Sequence, residues 1–293
     1  MFDFLNRNEF PLFFAGGVSN IIEEYIIEKD CLRLLSYANE KKLILKRCNR
    51  GLKTFMDSGA FSASTKGINI DIDEYIDFCN THSENLHLYC QFDFIPVGDI
   101  TGDESAKRTI ENYNYMRPKM KEPNKLLYVF HCGEPFEYLE QMLNRTEDKL
   151  EYIAFGGLVR KRKKDRIAFM EKAFEVVKNS KNPNVKIHAF GMTSFDLLEQ
   201  FPFTSADSTS WIHYARFGQV ETSLGGIILS DRRTEEKNHF YKFDNDKQNI
   251  ITNELQNEGF TINELVSDYK ARMKLRINQW KKWSKNYKYK GDI

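Results

Sequence analysis

Three aspartates stand at the ends of short apolar runs in this chain. Asp57 opens Asp57-Ser58-Gly59-Ala60-Phe61, Asp93 follows Gln91-Phe92, and Asp207 lies in Ala206-Asp207-Ser208-Thr209-Ser210-Trp211. His131-Cys132-Gly133, Phe155-Gly156-Gly157-Leu158 and Phe190-Gly191-Met192 close three further runs. Paired carboxylates suit cleavage at an anomeric carbon, where one attacks an oxocarbenium-like centre and another moves a proton. Gly156-Gly157 would let backbone amides come close enough to hydrogen-bond a flat ligand. Each feature also has a plainer explanation. A lone Asp at a strand end is often a helix N-cap, paired glycines make tight turns, and His131 can be a satisfied, partly buried histidine. Their recurrence at successive run ends favours the chemical reading.

The elements that must position these residues alternate along the chain. Strand-like runs are Pro11–Gly17, Thr54–Ala60, Leu86–Asp93, Lys125–Cys132, Tyr152–Leu158, Val185–Gly191, Phe203–Asp207 and about Ser223–Leu229. They are rich in Ile, Val, Phe and Tyr and end in Gly, Asp or Ser. Helical patterns lie between them: Ile72–His82 with Asp71 and Glu74 at capping-box spacing, Asp103–Met120 before Pro123, and Asp165–Asn179 with Ile167, Met170, Ala173, Phe174 and Val177 on one face. Phe136–Leu143 and Phe195–Gln200 are shorter candidates. Strands each followed by a helix predict an α/β fold, a (β/α)8 TIM barrel, whose active site lies at the C-terminal strand ends. With no repeat or linker in sight, residues 1–293 read as one domain. Within it, 261–290 forms a C-terminal helix, capped by Thr261 with Glu264, and a basic-aromatic tail.

Composition narrows the field. Hydrophobic residues make up 41% of the 293, enough for a sizeable core. No apolar run approaches the roughly 20 residues of a membrane helix, and the N-terminus lacks the pattern of a secretory signal. Five scattered cysteines without Cys-x-x-Cys fit reduced thiols in a cytoplasm. The net charge of +1 gives no global pull toward nucleic acid. Local basic clusters at Lys46 to Lys53, Arg160 to Lys164 and Lys281 to Lys290 are either solvated faces or phosphate contacts. In the tail, the Trp residues are expected to pack and some of the Lys residues to touch phosphate.

The motifs resemble those of the tRNA-guanine transglycosylase superfamily. Asp57-Ser58-Gly59-Ala60-Phe61 is similar to its Asp-Ser-Gly-Gly-Phe/Tyr motif, and Ile153 to Leu158 to its Ile-Gly-Gly-Leu segment. Phe190-Gly191-Met192 with Asp196-Leu197-Leu198 is similar to its Met-Gly-x-Gly-x-Pro-x-Asp-Leu stretch, and Asp207 falls where the family places its nucleophile. The order agrees over roughly residues 54–218. The resemblance implies that Asp207 attacks the anomeric carbon, that Asp57 is the general acid/base, and that Asp93 accepts from N1–H and the 2-amino group of the base. It further implies that Phe61 stacks on the base and that the segment Gly156, Gly157, Leu158, with His131 and Met192, lines its pocket. No cofactor or metal is called for. Arg160, Arg162 and Lys163, just past the glycines, are the candidates for holding nucleic-acid phosphates.

Departures refine the expectation. The zinc site Cys-x-Cys-x-x-Cys…His of tRNA-acting members has no counterpart, since no cysteine follows Cys132. His131-Cys132-Gly133 stands for the usual Gln-Gly-Gly, Ser62 for Gln, and Ser208-Thr209-Ser210-Trp211 for Pro-Thr-Arg. This compact, zinc-free form resembles the phage-type DNA 7-deazaguanine transglycosylases. DNA and a 7-deazaguanine base are therefore the expected partners, and no membrane. The alternatives are a tRNA transglycosylase, a non-catalytic nucleic-acid-binding subunit of such an enzyme, and a metabolic barrel acting on a small phosphorylated substrate.

Overall fold

A computed structural model describes residues 2–60, 70–96, 98–159, 161–192 and 194–291. Eight parallel strands close into a barrel in sequence order: β1 (Leu12–Ala15), β2 (Leu32–Ser36), β3 (Thr54–Asp57), β4 (Leu86–Cys90), β5 (Leu126–His131), β6 (Tyr152–Gly156), β7 (Lys186–Ala189) and β8 (Ser205–Ser208). β1 pairs with β8, with Phe13 opposite Asp207, which completes the circle. Along the chain a helix precedes each following strand, so this is a (β/α)8 TIM barrel.

Two strand assignments change. Residues 32–36 form β2, which the sequence pattern did not reveal because a charge, Arg33, interrupts a short run. The guanidinium is fully buried and donates to the carbonyls of Phe14 and Leu34 and to that of Gly16, so its charge is met by backbone acceptors. The expected eighth strand near Ser223–Leu229 is instead β10 (Gly225–Ile228), paired antiparallel with β9 (Gln219–Thr222) in a two-stranded sheet of their own. Asp57 therefore ends the third strand, and Asp207 lies in the eighth.

Side chains alternate across each strand, so every second residue points to the barrel axis. Phe13 and Ala15, Leu32 and Leu34, Phe55, Leu88 and Cys90, Leu127 and Val129, and Tyr152 and Ala154 form one buried cluster. The N-terminal 3-10 turn Asp3–Asn6 adds Phe2 and Phe4 to it. Phe4 meets Phe13 edge-on at 5.3 Å between ring centroids, and Phe13 meets Phe55 likewise at 5.3 Å. Truncating such a core Phe to Ala costs about 3–5 kcal/mol. The same parity, carried one step toward the C-terminal ends, directs Asp57, His131 and Asp207 inward above this floor.

Helix termini follow the caps read from sequence. Asp71 accepts from the amides of Asp73 and Glu74, both at 2.9 Å, at the start of Ile72–Thr81. Thr261 accepts from the Glu264 amide, but its helix stops at Ser267. Asp268 takes extended backbone and starts a new helix, Tyr269–Asn286, so the long C-terminal helix is two.

The chain groups into two compact units. The first holds the barrel: it runs to Gly17, from Leu32 to Ser208, and again from Tyr287. In it, the Tyr287 ring lies 4.4 Å from that of Phe10, and Lys290 pairs with Glu199. The second comprises Val18–Cys31 and Thr209–Asn286. Val220, Ile227, Phe240, Ile251, Leu255 and Leu275 contribute to its own core. There Trp280 is buried, as expected of a packing residue, and Lys282 is paired with Glu258 at 3.1 Å. Among the described residues, no helix is long and apolar enough to cross a membrane.

Candidate active site

Asp57, Asp93 and Asp207 come together at the C-terminal ends of the strands. Asp57 is half-buried at the end of β3, and its carboxyl is pushed up to about 8 by burial and then by the charges of Asp93 and Asp207. Asp93 and Asp207 act on it because all three stand at the same end of the barrel. Just past Asp57, Gly59 turns the chain with φ +89°, and its amide donates to Asp57 Oδ2 at 3.1 Å. A Cβ at this position would lie 2.4 Å from that of Ala38, so only glycine fits.

Asp93 sits beyond β4 with both oxygens engaged. Ser58 Oγ donates to Oδ1 at 2.9 Å, and His131 Nε2 lies 3.0 Å from Oδ2. Each carboxylate oxygen keeps a second acceptor site, so a base edge can still donate to Asp93. The other ring nitrogen, Nδ1, is 3.3 Å from Glu134 Oε1, and the His131 amide donates to Glu134 Oε2 at 2.8 Å. Burial opposes charge on this imidazole, yet its hydrogen bonds to Asp93 and Glu134 outweigh that and raise it to about 10. At neutral pH it is an imidazolium between two carboxylates. With both N–H groups committed, His131 orients Asp93 and has no ring donor left for a ligand.

Asp207, in β8, has a different neighbour. His188 Nε2, from β7, lies 3.2 Å from Oδ1, and the Gly191 amide donates to the same oxygen at 3.0 Å. His188 Nδ1 is 2.7 Å from Ser205 Oγ, which is 2.7 Å from the Tyr152 hydroxyl. Burial lowers the His188 value, against the pull of Asp207, and the ring stays neutral.

The glycine pair at the end of β6 has a structural cause. A Cβ on Gly156 would fall 2.8 Å from His131 Cδ2, so the imidazole packs directly on the β6 backbone. Gly157 takes φ +72° with the Cys132 amide 3.0 Å from where its Cβ would be. Leu158 and Met192, expected to line the pocket, are both buried. Arg162 is exposed and pairs with Asp165 at 2.7 Å, and Lys163 pairs with Asp196, so an incoming phosphate would compete with these carboxylates. Phe61 and Arg160 lie outside the described residues.

Five residues of this network escaped the sequence reading: Ser58, Glu134, His188, Ser205 and Tyr152. A polar residue at an inward position of an apolar strand is the signal that could have found His188, two residues before Phe190. Glu134 had none, since its carboxylate returns through a turn to its own strand end. No protein-family model matches the chain, and a search of curated proteins finds no match in sequence.

Proposed function

We propose that this barrel exchanges guanine in DNA for a 7-deazaguanine base through a covalent aspartyl intermediate. One observation carries the reading: Asp57 and Asp207 stand at the same strand-end mouth, where burial and neighbouring charges raise the Asp57 carboxyl and the His188 imidazole lies 3.2 Å from Asp207 Oδ1. A buried carboxyl raised in this way suits the role of acid and leaves that of nucleophile to its neighbour. The motif order described above supports the same assignment.

Asp207 attacks the anomeric carbon as the bond to guanine breaks, and Asp57 gives its proton to the departing base. An incoming 7-deazaguanine then surrenders its ring N–H proton to the Asp57 carboxylate, and that nitrogen displaces Asp207 from the sugar. Two inversions at one carbon give retention, and the carboxylate ester conserves the energy of the broken glycosidic bond without a cofactor. Asp93, braced by Ser58 and His131, accepts from the base edge. A guanine in a duplex must first leave the stack, at a cost of a few kcal/mol. DNA is favoured over tRNA because no cysteine follows Asp207 to build the zinc site of tRNA-acting relatives.

The test offers labelled guanine to the protein with DNA and with tRNA in parallel. Label entering DNA, lost at high salt and absent with Asp207→Asn, is the expected result. Label entering tRNA alone would replace the polymer, and label entering neither would end the proposal.

A further inference from the structure

Resting on the nucleophile role given to Asp207, we propose that His188 is a positioning residue that holds Oδ1 of Asp207 and so selects Oδ2 as the attacking oxygen. The argument is one of donors and acceptors. A neutral imidazole has one N–H and one bare nitrogen. An ionised Asp207 can only accept, so the proton must sit on Nε2, 3.2 Å from Oδ1. Nδ1 is then the acceptor, and Ser205 Oγ, 2.7 Å away, must donate to it. Ser205 has spent its single proton, so its oxygen accepts from the Tyr152 hydroxyl at 2.7 Å. Every proton in the chain Tyr152 to Ser205 to His188 to Asp207 is thereby assigned, all pointing one way.

The packing enforces this polarity. The His188 ring is fully buried, 4.8 Å from the ring of Phe55 and 4.7 Å from that of Phe190. It cannot turn over without breaking its own hydrogen bonds to Ser205 and Asp207 in an apolar layer. Register places Ser205 beside it, since His188 and Ser205 are partners across β7 and β8. The Gly191 amide adds a second donor to Oδ1 at 3.0 Å. Among the described residues Oδ2 accepts no hydrogen bond, so its lone pairs remain for the sugar carbon.

Two measurements test this independently of each other. Long-range nitrogen–proton NMR on the free protein reads the tautomer and needs no substrate. The Nε2–H form is expected in the wild type and a mixture of tautomers in Ser205→Ala. A wild-type Nδ1–H form would overturn the proposal whether or not the protein exchanges bases. Single-turnover formation of the DNA adduct reads the consequence. His188→Leu should slow it about 100-fold with the KM for free base unchanged, and His188→Gln, whose amide can reach the same oxygen, should recover part of the rate. Should His188→Leu fail to fold, a slowed adduct step in Ser205→Ala carries the test, and a wild-type rate there refutes the role. Absence of adduct with the wild-type protein would refute the nucleophile reading while the tautomer still decides the hydrogen-bond chain.

Discussion

Two histidines, each bonded to an aspartate at the same end of the barrel, reach opposite protonation states. His131 lies between Asp93 and Glu134 and is charged at neutral pH. His188 lies between Asp207 and a hydroxyl and is neutral. Both are buried, so desolvation opposes the charge in each. A second carboxylate decides the outcome, because two acceptors repay what a single one cannot. The difference matches the roles proposed for the partners. A cation beside Asp93 fixes and balances a carboxylate that binds. A neutral donor beside Asp207 orients a carboxylate and leaves its charge for the sugar.

The sharpest way to break the comparison is at the nucleophile. Asp207→Asn should reduce exchange by about 10⁴-fold or more, measured as labelled guanine entering DNA, with the fold intact by circular dichroism. Asp57→Asn should cost about 10²–10⁴-fold. In the wild type the proton that Asp57 must give is lost above pH about 8, so the rate of guanine release should fall on the alkaline side of that value. A release rate that keeps rising through pH 9 would remove Asp57 from the acid's role. Glu134→Gln removes one of the two carboxylates and should bring the His131 titration, followed by NMR, back toward the ordinary 6.5. The same variant should weaken base binding about tenfold, the worth of one hydrogen bond that no longer holds Asp93 in place.

The smallest effect is on stability, and its sign differs between the two rings. The folded value of His131 lies above the ordinary one, so its contribution is full below about pH 6.5 and is lost as pH rises toward about 10. The folded value of His188 lies below, so its contribution is present above about pH 6.5 and is lost as the solution is acidified. His131→Gln should therefore flatten the alkaline limb of a Tm–pH profile by a few degrees and spare the acid limb. A change on the acid limb instead would mean that the two rings have been assigned the wrong way round.

The barrel was legible because seven of its strands, β1 and β3 to β8, are apolar runs with Gly, Asp or Ser at their ends or within three residues beyond. β2 stayed hidden because its charge, Arg33, serves backbone carbonyls that a sequence does not display. Residues 223–229 looked like a further strand because a hairpin strand and a barrel strand share one residue pattern. Of the site, the three aspartates could be found by their place at strand ends. The partners could not. Ser205 faces His188 through register, and Glu134 reaches His131 through a turn, both consequences of pairing between segments distant or folded back in the chain.

One experiment bears most directly on base exchange at Asp207: incubation with guanine-containing DNA in the absence of free base, followed by denaturing electrophoresis and intact mass. The wild-type protein should carry a DNA adduct that survives denaturation and dissolves when guanine is added back beforehand, and Asp207→Asn should carry none. An adduct that persists in Asp207→Asn, or exchange of labelled guanine by a wild-type protein that never forms an adduct, would contradict the account.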